Sequence, residues 1–168
     1  MAAAGINQTA IDVFTAYYRQ LEQGVTGFIA EDSIEPLTDP DRLANVTVAD
    51  EHAAAALADT VMIKLNGGLG TSMGMEQAKS LLPVRNGRTF LDLIVAQVQA
   101  ARAAYGVKLP LMFMNSFRTR EDTLAALARY DDLAVDGLDL DFLQSQEPKL
   151  RADDLTPVEW PADLSLEW

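Results

Sequence analysis

Between Val61 and Gly74 an apolar run, Val61-Met-Ile-Lys-Leu65, opens into Asn66-Gly-Gly-Leu-Gly-Thr-Ser-Met-Gly74, which carries four glycines in eight positions. A residue without a side chain lets the backbone turn sharply and bring bare N–H groups up to a ligand. Convergent N–H groups bind anions, above all phosphates. Two familiar phosphate patterns are absent. The G-x-x-x-x-G-K-[ST] loop needs a glycine before its lysine, and Ala78 precedes Lys79-Ser80. A G-x-G-x-x-G fingerprint starting at Gly68 and Gly70 would need its third glycine where Met73 stands; Gly74 comes one residue late.

Charge narrows the ligand. The chain carries a formal −12, which repels nucleic-acid backbone and makes nucleic acid an unexpected partner. Within that acidic chain, Lys64, Lys79, Arg85 and Arg88 share one stretch with a single acid, Glu76. A positive island around a glycine loop suits a small polyanion such as a nucleoside triphosphate. With no cysteine, disulfides, thiolate metal sites and a cysteine nucleophile are excluded, which fits a cytoplasmic protein. No apolar run reaches the ~18 residues of a membrane span, and the start of the chain lacks a basic secretory leader. His52 is the only histidine and has no serine or carboxylate at a triad-like offset.

These groups need positioning elements. Ile6, Ala10, Val13, Phe14, Tyr17 and Leu21 recur at helical spacing, with Gly24 as the stop. Residues 24–49 read as connector. Asp50 is expected to cap a short alanine-rich helix over Glu51 to Ala58. Val61–Leu65 reads as a strand buried on both faces. Leu81–Val84 and Arg85-Asn-Gly-Arg88 read as an extended piece and a turn in which Asn86-Gly87 take positive φ. Thr89 and Asp92 cap a helix with the apolar stripe Phe90, Ile94, Val98, Ala101 and Tyr105, ended by Gly106. Leu109–Met114 is a second buried strand, its methionines read as core filler. Thr119 with Asp122 opens a helix to about Tyr130, and Leu138–Phe142 alternates like a half-exposed strand with its acids outward. Strand and helix in alternation predict a parallel α/β sheet whose ligand sits at the strands' C-terminal ends. The loops at Asn66–Met75 and Asn115–Arg118 are then expected in one cleft. A division at residue 58 is expected, with an N-terminal helical segment and connector over 1–58 and a nucleotide-binding α/β domain over 59–168.

Taken in order, Lys64–Gly74, Ala78-Lys-Ser80, Thr89-Phe-Leu-Asp92, Met114-Asn-Ser-Phe-Arg-Thr119 with Glu121-Asp-Thr123, and Phe142-Leu-Gln-Ser145 with Pro148 resemble the UTP–glucose-1-phosphate uridylyltransferase family. Order and spacing agree from about residue 58 to 150. Ser72 resembles the glucose-1-phosphate branch, because UDP-N-acetylhexosamine pyrophosphorylases typically carry an arginine there. The resemblance implies a nucleotidyltransferase core that moves UMP from UTP to glucose 1-phosphate with Mg2+, releasing pyrophosphate. It implies that Leu65, Asn66, Gly67, Gly68 and Gly70 hold the uridine and its phosphates, that Lys79 contacts the phosphates during transfer, and that Gln144 reaches the uracil.

The chemistry is compatible with those roles. A lysine is a movable point charge for phosphate oxygens, and a glutamine side chain offers both a donor and an acceptor to uracil. Two departures stand out. Met75-Glu-Gln-Ala78 replaces a Lys and Gly-Pro found in many members, which leaves the role of Glu76 open, as it leaves that of Arg118. The family is also much longer, so the resemblance implies an N-terminal part, with the Mg2+ carboxylate, a sugar-phosphate histidine and a later lysine expected beyond residue 168. The alternatives are a noncatalytic uridine-nucleotide-binding module, an N-acetylhexosamine-1-phosphate enzyme, or an interaction fragment.

Overall fold

A computed structural model describes residues 1–168. Three strands, β1 (Met62–Asn66), β4 (Leu111–Asn115) and β5 (Asp141–Leu143), form one sheet in the order β1-β4-β5. Both pairings are parallel, and Asn66 at the end of β1 stands opposite Asn115 at the end of β4. The mixed α/β class with a parallel sheet is the predicted one. A separate antiparallel hairpin joins β2 (Pro83–Arg85) to β3 (Arg88–Thr89). Its turn residues, Asn86 at φ 57° and Gly87 at φ 70°, take the left-handed conformation that a two-residue hairpin loop demands.

The helix α3 (Phe90–Tyr105) begins on a complete capping box. The Thr89 hydroxyl accepts from the Asp92 N–H, and the Asp92 carboxylate accepts from the Thr89 N–H at 2.7 Å. Gly106, at φ 66°, ends the helix. The core comprises Leu91, Val95 and Val98 of α3, Leu111 and Phe113 of β4, Leu127 of α4 (Arg120–Leu127), and Leu109 and Leu133. Arg102, in the last turn of α3, ties down the carbonyls of Leu109, Asp132 and Leu133.

Several expectations shift. The α3 stripe holds in its middle, where Val98 is buried and Ile94 and Ala101 pack against the core, but Leu91 and Val95 are buried in place of Phe90 and Tyr105, which are 46% and 41% exposed. This helix is apolar over more than half its circumference, so periodicity alone admits two phases. β1 is not buried on both faces; Leu65 is 70% exposed and only Asn66 is buried. It is an edge strand with one bonded neighbour, and the core packs on β4 beside it rather than on β1 itself. Asp50 is the first residue of α2 (Asp50–Ala58) rather than its cap, which falls on Ala49. In β5 the alternation is inverted, with Asp141 buried and Phe142 exposed, because a guanidinium and an amide meet the carboxylate inside. Met112 and Met114 are half-buried on the face of β4 opposite the core residues.

Residues Asp41–Gln144 make one compact unit; Met1–Pro40 and Ser145–Trp168 make another. In the latter, α1 (Gln8–Glu22) starts at Asn7, whose side chain accepts from the Thr9 N–H at 2.9 Å, and stops before Gly24 at φ 73°. Its half-buried row is Ile11, Phe14, Thr15 and Tyr18, while Val13, Tyr17 and Leu21 are exposed. Phe14, Thr15 and Tyr18 border a cavity with Leu150, Leu155 and Pro157.

Candidate functional site

The glycine loop leaves the C-terminal end of β1 and folds back on the segment that carries Lys79. The Lys79 N–H donates to the Gly68 carbonyl at 2.9 Å, and the Gly70 N–H donates to the Gln77 carbonyl at 3.1 Å. This ladder leaves the N–H groups of Gly67 and Gly68 without a backbone acceptor, and Gly68 is exposed. Two adjacent free N–H groups at the end of a parallel strand make a concavity suited to an anion.

The loop is packed tightly where glycine is required. A Cβ on Gly67 would lie 2.2 Å from Gln144 Oε1, so bare backbone and an amide side chain face each other there. A Cβ on Gly70 would lie 2.8 Å from the Met75 Cβ, where the loop closes through the Met75 N–H to the Gly70 carbonyl. The two substitutions to alanine should therefore differ. In Gly67→Ala the opposing atoms belong to a side-chain tip that can swing aside, so stability should hold within ~0.5 kcal/mol while Gln144 is displaced. In Gly70→Ala the opposing atom is a Cβ fixed to backbone, and overpacking should cost ~1–3 kcal/mol. Urea unfolding of both variants checks this; equal midpoints would show that the closure at Gly70 has room to spare.

A cavity of about 410 Å³ beside the loop is bordered by Lys64, Leu65, Asn66, Gly68, Lys79, Ser80, Phe90 and Ile94. The structure thus brings Leu65, Asn66, Gly68 and Lys79 to one place. Gly67 meets Gln144, and Gly70 sits buried at the loop's closure. Lys64 and Lys79 share the cavity, but Arg85 and Arg88 face each other across the hairpin and do not border it. The Ser80 hydroxyl is buried without a hydrogen-bond partner. His52 is exposed on α2.

Beneath the loop lies a buried polar network. The Asn66 side-chain NH2 donates to Asn115 Oδ1 and to Thr123 Oγ1, each at 2.8 Å. The Thr119 hydroxyl donates to the Asn66 carbonyl at 2.8 Å rather than capping α4. The Asn115 amide donates to Asp141 at 3.1 Å, and Arg120 Nε donates to the same carboxylate at 2.8 Å. The Gln144 N–H donates to the Asn115 carbonyl at 2.8 Å. The ends of β1 and β4 are therefore tied together beneath the loop, while residues 115–118 do not border the cavity.

The sequence model of the UTP–glucose-1-phosphate uridylyltransferase family matches residues 11–168. The chain belongs to that family. A uridylyltransferase from Solanum tuberosum is 38% identical over 165 residues, which are 94% of this chain and 34% of the relative. The UDP-glucose pyrophosphorylase S374F mutant from Leishmania major, solved in complex with UDP-glucose, is 39% identical with a TM-score of 0.89; the match covers 100% of this chain and 35% of that one. A UDP-glucose phosphorylase from Trypanosoma brucei gives 38% identity and a TM-score of 0.85. The chain thus spans about a third of the length of these uridylyltransferase relatives.

For Mg2+, the residues at the loop do not fit. The cavity is bordered by two lysines and no carboxylate, and no three acidic or imidazole side chains stand together anywhere in the chain. Any divalent ion must be held by other groups, and the loop's own chemistry is that of N–H donors and ammonium charge.

The acidic groups of the framework are held ionised. The Arg120 hydrogen bond, then Asn115 and the Arg120 charge, outweigh burial and keep the Asp141 carboxyl below its ordinary 3.8. At Asp92, burial pushes upward, but the Thr89 N–H, the Tyr130 hydroxyl, the Thr89 hydroxyl and Arg129 together keep it below 3.8. A folded-state pKa below the unfolded one contributes stability above the unfolded value, lost as pH falls through the folded one. Melting temperature should therefore be flat above about pH 5 and fall steeply below about pH 4. Asp141→Asn should flatten part of that fall; an unchanged acid limb would remove Asp141 from it.

Sequence reasoning missed Thr119, Thr123, Arg120 and Asp141 as supports of the loop, and Phe90 and Ile94 as its cavity wall. The Thr119–Thr123 spacing, one helical turn with both hydroxyls on the same face, was the available signal.

Proposed function

We propose that this chain forms the uridine-nucleotide half of a UTP–glucose-1-phosphate uridylyltransferase site. In this reading the free N–H groups of Gly67 and Gly68 and the Lys79 ammonium take the phosphates of UTP, while Leu65, Asn66 and Gln144 flank the uridine. The observation that carries it is the close approach of Gly67 to Gln144 beside a cavity shared with Lys79. With Gly67 and Gln144 already in contact, the amide is placed to meet the edge of a base lying in the adjoining cavity, from which the phosphates reach the lysine.

In the reaction of the whole enzyme, an oxygen of glucose 1-phosphate attacks the α-phosphorus of UTP. A new P–O bond forms as the bond to the β-phosphate oxygen breaks, giving UDP-glucose and pyrophosphate. The loop amides and Lys79 offset charge gathering on the α-phosphate, the kind of preorganised stabilisation from which phosphoryl and nucleotidyl transfers draw most. The cysteine-free composition fits a cytoplasmic setting. The 168 residues alone are expected to bind UTP without turnover. Calorimetry with UTP and a pyrophosphate-release assay on the same sample test this. Heat without release is the expected result; silence in the calorimeter overturns the reading.

A further inference from the structure

We propose that the polar chain Arg120–Asp141–Asn115–Asn66, half-exposed at Arg120 and buried from Asp141 inward, is a positioning relay that sets the contact between the glycine loop and Gln144, with Asn115 as its pivot. The inference rests on the uridine-nucleotide reading of that contact.

Asn66, Asn115 and Asp141, with Thr119 and Thr123, are all more than nine-tenths buried. Buried polar side chains cost stability unless satisfied, and apolar residues would close a sheet end more cheaply. Here the satisfaction has a direction. Arg120 donates to Asp141, Asn115 donates to Asp141, and Asn66 donates to Asn115. Asn66 immediately precedes Gly67, and both hydrogens of its NH2 and its carbonyl are engaged. The departure of the loop from β1 is thereby fixed. Asn115 also accepts the Gln144 N–H on its own carbonyl. One residue therefore anchors both sides of the contact, the loop through its side chain and Gln144 through its backbone.

The polarity of the relay supplies the test. In Asp141→Asn the amide oxygen can take the place of Oδ2 and still accept from Asn115 and from Arg120 Nε, leaving only Arg120 Nη2 opposite an NH2. In Asn115→Asp two carboxylates confront each other. Adding Asp141→Asn to Asn115→Asp removes that confrontation, since the new Asp accepts from both Asn66 and the new Asn, at the cost of setting the new NH2 against Arg120 Nε. Amide hydrogen exchange at residues 67–70 and UTP affinity by calorimetry are read together with melting temperature.

Asn115→Asp should exchange faster at Gly67 and Gly68 and lose roughly 2- to 30-fold in UTP affinity, with α3 amides unchanged. Asp141→Asn alone should leave the loop nearly unchanged, and the double exchange should recover part of the Asn115→Asp loss. Unchanged loop exchange in Asn115→Asp overturns the relay, as does a loss spread evenly over loop and α3, which would mark a purely structural role. If a single variant fails to fold, Arg120→Gln, at a half-exposed side chain, carries the same comparison. If the unsubstituted chain binds no UTP, the nucleotide reading falls, and the exchange pattern still decides the relay.

Discussion

Lys79→Ala is expected to weaken UTP binding by roughly 10- to 150-fold while leaving the melting temperature in place. A hydrogen bond to a charged group contributes ~1.5–3 kcal/mol, and tenfold in affinity corresponds to ~1.4 kcal/mol. The separation of binding from stability follows from which part of Lys79 does what. Its backbone N–H holds Gly68, and alanine keeps that bond. Its side chain is exposed at the cavity and joins no ion pair within the chain. The ammonium is thus free for a phosphate, and the binding it adds should weaken with salt. Lys79→Arg should retain part of the affinity, since the charge remains but its shape differs. Titration calorimetry at two ionic strengths measures both effects. An alanine variant that binds UTP within twofold of the parent would remove Lys79 from the phosphate site.

Phe113→Ala is expected to cost ~3–5 kcal/mol of folding stability, the range for emptying a large aromatic from a core. Folded domains hold only ~5–15 kcal/mol in total, so the variant should be partly unfolded near its former working temperature. Phe113 lies on the middle strand, fully buried, against the row Leu91, Val95 and Val98 and beside Leu127. It stands in register with Lys64 on one side and Asp141 on the other, so a cavity there undermines both flanking strands. Phe90→Ala, one helical phase away and 46% exposed, should lose under ~1 kcal/mol. Urea denaturation of the pair decides the matter. A small loss at Phe113 would mean that the core collapses onto the gap.

Local chemistry was legible in the sequence and long-range chemistry was not. The Asn86-Gly87 turn, the Thr89–Asp92 box and the Gly106 stop were readable because each feature is complete within a few residues. The glycines and the sheet rule pointed to the loop after β1, and the gathering of Leu65, Asn66, Gly68 and Lys79 was implied by the family resemblance. Asp141 was misread because an acid in an alternating strand is expected outside, and its partner Arg120 lies 21 residues away. Thr119 was read as a helix cap, yet its hydroxyl serves Asn66, 53 residues earlier. The phase of α3 was ambiguous because the helix offers two apolar rows, and only the sheet decides which one it covers.

The anchoring of Asn66 has a consequence for transplantation. Residues 66–75 look like a portable cassette, but the groups that hold their root come from β4, from α4 and, at one remove, from β5. A graft of the cassette alone onto a foreign scaffold would arrive without its moorings. The compact unit that carries the cassette with all of these groups runs from Asp41 to Gln144.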